Sequence, residues 1–270
     1  MSKGQLRKRI KAGESVFGIF CDIPSPQIVE MIGLAGYDFV FLDAEHTAAT
    51  PETVEHMVRA AESRGLSTVT RVAFNHHASI LRYVDTGTEG VLIPLIDTEA
   101  DVHHIVDSVK YPPLGKRGLA HVRAADYAMT GSLGSYARRE NENTFISVQI
   151  ETPEAVRNLE AICESDELDA VFFGTTDLAM TMGYSAQLET SGSNHPDIIR
   201  LVLELGEKVM KSGKAVGISA HSPEAYERWK RAGFQICATV ASLQFVAGAR
   251  GLLQECGLQD KSPTASGSPH

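Results

Sequence analysis

The chain has 270 residues, 43% hydrophobic and 22% charged, enough apolar material for a sizeable core in one large domain or two small ones. A formal net charge of -9 speaks against a nucleic-acid groove, which needs a clustered basic surface. No stretch reaches the ~18 apolar residues of a membrane span, and the four cysteines (Cys21, Cys163, Cys237, Cys256) are far apart with no CxxC pair, so reduced thiols in a cytoplasmic protein are expected rather than a disulfide or zinc framework.

The N-terminal residues 1–13 are basic (Lys3, Arg7, Lys8, Arg9, Lys11) but lack the apolar centre of a secretion signal. A mitochondrial presequence is one reading. The other is a short amphipathic helix capping a domain, because Leu6 and Ile10 stand four residues apart. A strand over 16–21 follows, then a helix opened by Ser25-Pro26 and closed at Gly36, a left-handed C-cap. The run Phe39-Val40-Phe41-Leu42 predicts a buried strand, and Thr50-Pro51 opens a helix that Gly65 stops.

The alternation continues with a strand over 67–72, a helix around 80–84 with Asp85 near its end, a strand over 90–94 and a helix over 99–109. It pauses at 111–142, a stretch read as a long loop, which in a compact domain is usually functional or an interface. It resumes with strand 145–150, helix 153–163, strand 170–173, a short turn from Asp177 and a helix over 196–211. Strand 215–218, helix 223–232, strand 234–240 and a last helix through 253 complete it. Eight strands alternating with helices predict an α/β protein, a (β/α)8 TIM barrel in a single domain over 1–256. The rival, an open doubly wound sheet, lacks its glycine-rich phosphate fingerprint after the first strand. Residues 257–270, rich in Ser, Pro and Gly from Asp260, are read as a disordered tail.

Barrel active sites lie at the C-terminal strand ends. Those ends carry Asp43, Glu45 and His46 after the second strand, Arg71 on the third, Gln149 and Glu151 on the fifth, and Gly174-Thr175-Thr176-Asp177 after the sixth. Two carboxylates and an imidazole within four positions of a buried strand cost roughly several kcal/mol if nothing pairs them. Water, or a metal and a substrate, must do so. Glu151 and Asp177 suit a hard cation such as Mg²⁺, which takes one or two carboxylates and leaves its other positions to water and substrate. Both also suit helix N-capping. Gly174 either opens a small anion nest or makes a plain tight turn. Arg71 either faces a carboxylate or enolate oxygen or forms a structural ion pair with Asp43 or Glu45. Histidine as a residue type titrates near neutrality, so His46 reads as a proton acceptor or as a hydrogen-bonded strand-end group. No lysine stands at the catalytic end of a strand, which disfavours imine chemistry. The other histidines show no HExxH spacing.

The segments Leu42-Asp43-Ala44-Glu45-His46, Arg71, Tyr111-Pro112-Pro113 with Gly115-Lys116-Arg117-Gly118, Gln149-Ile150-Glu151-Thr152 and Gly174-Thr175-Thr176-Asp177-Leu178 occur in that order. Together they resemble the HpcH/HpaI family of metal-dependent (class II) pyruvate aldolases, which includes 4-hydroxy-2-oxoheptanedioate aldolase and 2-keto-3-deoxy-sugar-acid aldolases. The resemblance runs from Gly13 to Leu253. It implies a divalent cation (Mg²⁺, Mn²⁺ or Co²⁺) held by Glu151 and Asp177, with Gln149, Gly174, Thr176 and Asp177 around the pyruvyl part of a 2-oxo acid. Arg71 would stabilise the enolate and His46 would be the base, supported by Asp85 across a subunit contact, with Asp43 and Glu45 behind them. The implied assembly is a hexamer, a dimer of trimers, with the C-terminal helix exchanged between subunits. Thr175-Thr176, His121-Val122-Arg123-Ala124-Ala125 and Ser219-Ala220-His221 depart from the commoner pattern and leave the aldehyde partner open. Oxaloacetate decarboxylation or another enolate-capturing reaction is the nearest alternative on this scaffold, and a catalytically silent oxyacid binder the remote one.

Overall fold

The computed structural model describes residues 4–184 and 195–258. Strands β1 (Val16–Cys21), β2 (Phe39–Asp43), β3 (Ser67–Arg71), β4 (Gly90–Ile93), β5 (Phe145–Ile150), β6 (Ala170–Phe173), β7 (Ala215–Ser219) and β8 (Ile236–Val240) pair in sequence order and close into a barrel. Every pairing is parallel, and β8 returns to β1 through Val16–Ile236. The near-continuous apolar strands follow from burial on both faces.

Helices α1 (Gln5–Lys11), α2 (Pro26–Ala35), α3 (Pro51–Arg64), α4 (His77–Val84), α5 (Glu99–Val109) and α6 (Leu133–Asn143) are joined by α7 (Pro153–Arg157), α8 (Leu159–Ile162), α9 (Thr175–Thr181), α10 (Pro196–Lys211), α11 (Pro223–Arg231) and α12 (Ala241–Glu255). One apolar cluster lies between strands and helices, with Val40, Leu42, Met57, Ile80 and Ile105 among its members. A second fills the barrel with Phe20, Phe39, Phe41, Phe172 and Leu92. Leu6 and Ile10 of α1 belong to that inner cluster, so the basic N-terminal segment is a plug whose apolar stripe closes the barrel floor. Gly18 leaves room for the Phe39 ring, which a Cβ there would meet at 2.4 Å.

Several predicted boundaries are corrected. The stretch 111–142 contains a 3-10 turn, Arg123–Ala128, and most of α6, whose N-cap Ser132 accepts from the Ser135 N–H. Its helix was masked by composition, because only Tyr136 and Glu140 are buried along it. The helix predicted over 153–163 breaks at Asn158 into α7 and α8. The turn from Asp177 is part of α9, and β8 begins at Ile236, two residues later than expected. The tail predicted over 257–270 lies outside the described residues apart from Gly257 and Leu258. Among the described residues no helix is long and apolar enough to cross a membrane, and the four cysteines are unpaired, with Cys256 alone exposed.

Candidate active site

Parallel register places the chemistry on one rim. Asp43 is the last residue of β2 and sits opposite Arg71, the last of β3. Arg71 donates from Nε to Asp43 Oδ1 at 3.0 Å and from Nη2 to Oδ2 at 2.7 Å, a two-pronged bond between planar groups. Phe20 stacks against the guanidinium, 4.9 Å from ring centroid to Cζ. Burial works against the Asp43 carboxylate, but Arg71 and the Glu45 and His46 backbone N–H groups outweigh it and hold its pKa below the usual range. Of the two sequence readings of Arg71, the ion pair with Asp43 and Glu45 is the one present here. The ion pair fixes the fork through Nε and Nη2, and Arg71 also lines the cavity described below.

Glu45 Oε2 lies 3.3 Å from Arg71 Nε and 3.6 Å from His46 Nε2, yet it is buried and lacks a well-aligned hydrogen bond. Desolvation, opposed by Arg71 and reinforced by Asp43 and Asp177, pushes its pKa up from 4.5 to about 7. A folded state that holds this proton to about pH 7, against 4.5 when unfolded, loses stability as pH rises between those values. Glu45→Gln removes that loss. Thermal melts of chelator-treated protein are therefore expected to show the variant gaining on the wild type from pH 5 to pH 8. A constant difference in Tm would contradict the assignment.

Glu151, just past β5, is 3% exposed. Its Oε1 accepts from the Leu95 backbone N–H at 2.8 Å, and Gln149 Nε2 donates to Oε2. A Cβ at Gly174 would stand 2.5 Å from Glu151 Oε2 and 2.8 Å from Gln149 Nε2, so this glycine is required by close approach. Desolvation raises the Glu151 pKa, and Asp177 and Glu45 add repulsion to it. Asp177, in the first turn of α9, borders the same cavity as Gly174 and Gln149.

That cavity holds about 270 Å³ and is lined by Asp43, His46, Arg71, Gln149, Gly174, Thr175, Thr176 and Asp177, with Phe20, Asp22, Ser219 and His221 among its other walls. His46 is 63% exposed at its edge. Nine of the ten residues predicted for the site, all but Asp85, thus meet on one rim or directly beneath it. Asp85 sits just past α4, at the other rim, and accepts from Arg117 Nη2 at 2.7 Å; within this chain it does not meet His46. A larger cavity, about 960 Å³, opens at that other rim. Its arginines pair with neighbouring carboxylates (Arg59 with Glu55, Arg123 with Glu62), and none of the residues predicted for the site lines it.

The donors fit a hard divalent cation. The carboxylates of Glu45, Glu151 and Asp177 repel one another through space, and the buried oxygens Glu45 Oε2 and Gln149 Oε1 accept no hydrogen bond. Among the described residues no group of three His, Cys, Asp or Glu side chains is set to enclose a metal. Two carboxylates leave room for water and substrate oxygens, as Mg²⁺ prefers.

Some of this escapes sequence reasoning. Leu95 reaches Glu151 through its backbone in a left-handed conformation, φ 54°, a placement no leucine advertises. Phe20 and Asp22 follow from strand-end position alone, and Ser219 and His221 stood out only as an unusual helix entrance.

Residues 16–241 match the family described as HpcH/HpaI aldolase/citrate lyase. The chain is 30% identical over 239 residues to a hydroxypyruvate/pyruvate aldolase of Sagittula stellata, covering 88% of this chain and 91% of that one. It is 29% identical to a 2-keto-3-deoxy-L-rhamnonate aldolase of Salmonella gallinarum, covering 80% and 79%. The crystal structure of an HpcH/HpaI aldolase/citrate lyase family protein from Burkholderia cenocepacia superposes with a TM-score of 0.87 at 27% identity, covering 94% of this chain and 99% of that one. The closed barrel, the carboxylate cluster at its C-terminal rim and these matches along most of its length together make the chain a member of the HpcH/HpaI aldolase/citrate lyase family.

Proposed function

We propose that this chain is a carbon–carbon lyase, a metal-dependent (class II) aldolase that reversibly cleaves a 4-hydroxy-2-oxo acid to pyruvate and an aldehyde. The observation carrying this reading is the buried Gln149–Glu151 pair under Gly174, facing the Arg71 fork and His46 across one small cavity. Relatives named as aldolases that align along most of the chain support it.

Glu151 and Asp177 would hold Mg²⁺, Mn²⁺ or Co²⁺. When bound, that cation supplies Lewis acidity to the 2-oxo group and positive charge beside a developing enolate. Gln149 and the backbone at Thr176 orient the pyruvyl carboxylate, beside Gly174 on the cavity wall. In cleavage, His46 takes the proton of the C4 hydroxyl, and the C3–C4 electron pair passes into the enolate as the aldehyde departs. Arg71 faces the enolate oxygen, its aim fixed by Asp43. Protonation of the enolate methylene yields pyruvate.

The same reading makes 1–256 one domain of a homo-oligomer, a hexamer built as a dimer of trimers, in the cytoplasm. Asp85 would support His46 of a neighbouring subunit, since its own barrel keeps the two on opposite rims. Exchange of α12 between subunits is supported by its uncovered apolar side chains: Ala241 is its only buried residue, and Phe245 is 71% exposed.

A screen of 4-hydroxy-2-oxo acids for pyruvate release, with and without chelator, tests the proposal. Release that chelator abolishes and added cation restores is expected. Full turnover in metal-stripped protein would overturn the role of Glu151 and Asp177. Release of CO₂ from oxaloacetate, with no cleavage of any hydroxy-oxo acid, would replace the aldolase reading by the decarboxylase one.

A further inference from the structure

The pyruvate half of the cavity is accounted for by Arg71, Gln149, Glu151 and Gly174. Its far wall, between β7 and β8, is not. There His221 stands at the mouth, two residues past β7, with its Nδ1 3.4 Å from Thr239 Oγ1. Thr239 Oγ1 also receives an N–H from the Gln244 side-chain amide at 2.9 Å. An amide NH₂ only donates, so the threonine oxygen accepts on that side and keeps its own proton and a second lone pair for other partners. Where that proton is given to His221 Nδ1, the imidazole is neutral and Nε2 carries the ring hydrogen. Loss of solvent around the ring lowers its pKa from the ordinary 6.5 and favours the same neutral form. With Nδ1 engaged by Thr239, Nε2–H is the group left for an occupant of the cavity.

We propose that His221 is a specificity-determining residue that donates from Nε2 to a hydroxyl oxygen of the aldehyde partner, so that the enzyme takes short, uncharged hydroxyaldehydes in preference to alkyl aldehydes. The assignment rests on the aldolase reading. A neutral donor matches a neutral oxygen, and Asp22, the carboxylate of this cavity that neither Arg71 nor the cation offsets, disfavours an acidic tail. Asp22 itself is occupied by the Ser242 backbone and hydroxyl at the start of α12, which leaves the recognising bond to His221.

The test compares glycolaldehyde with propionaldehyde, which differ by a hydroxyl in place of a methyl group, as acceptors for pyruvate with the cation-loaded full chain. The wild type is expected to favour glycolaldehyde in kcat/KM. His221→Leu is expected to reduce that preference about tenfold, the worth of one hydrogen bond at a solvent-accessible site. His221→Gln, which keeps an N–H donor, is expected to retain most of it. Equal losses toward both aldehydes, or a preference unchanged in His221→Leu, would overturn the assignment. The pyruvate half is read separately, as deuterium exchange into the pyruvate methyl group of the wild type in D₂O without aldehyde. Exchange together with an unchanged preference defeats the His221 assignment alone. No exchange at all defeats the aldolase reading, and the assignment with it.

Discussion

Replacing Arg71 with alanine is expected to lower kcat for pyruvate release by about 10²–10³, the usual loss when one preorganised donor to a developing oxyanion is removed. KM for the 2-oxo acid should change less, because the charge that Arg71 meets is larger in the transition state than in the substrate. The substitution also strips the partner from Asp43, whose side chain is 2% exposed. Breaking a buried pair by removing one member costs about 3–5 kcal/mol, so the variant is also expected to melt earlier. Arg71→Lys separates the two effects. It keeps a positive charge for Asp43 but cannot present a second prong while also facing substrate, so stability should recover further than kcat. An unchanged kcat in Arg71→Ala would remove this residue from the mechanism.

Gly174→Ala is expected to be damaging by a different route. The position has φ -82°, so the backbone tolerates alanine. Space does not. The new methyl group would stand 2.5 Å from Glu151 Oε2, which is buried and already held by the Leu95 N–H on its other oxygen. The carboxylate or the β6–α9 turn must move. Either movement displaces Glu151 from Asp177, and loss of one such orienting contact typically costs 10–100-fold in metal affinity. Calorimetric titration of Mn²⁺ into the metal-free variant should show this weakening with little change in circular dichroism. Wild-type affinity would mean that Glu151 Oε2 is not a ligand.

The two variants test different halves of one arrangement. Arg71 is fixed by register, since its strand neighbour Asp43 is the partner that aims it. Glu151 is fixed by a backbone N–H from β4's loop and a side chain two residues away. Neither is free to relax toward solvent. The pKa values of Glu45 and Glu151 are raised first by burial and then by the neighbouring carboxylates, Asp177 among them.

Sequence alone carried the barrel, because alternation of buried apolar strands with capped helices is a local, periodic signal that each segment holds for itself. It carried the rim as well: once strands are assigned, their C-terminal ends name Asp43, Arg71, Gln149, Glu151 and Asp177 without coordinates. Helix α6 escaped because its polar sequence buries only two residues, and β8 started late because Phe234 is buried outside the strand. Tertiary structure alone decided three things. It showed that Arg71 spends two nitrogens on Asp43, that a leucine backbone at φ 54° reaches a carboxylate 56 residues away, and that Asp85 faces Arg117 rather than His46 within its own chain. These are distances between segments remote in sequence, and no local pattern of side chains encodes them; they are set when the barrel closes and its loops take the only space left.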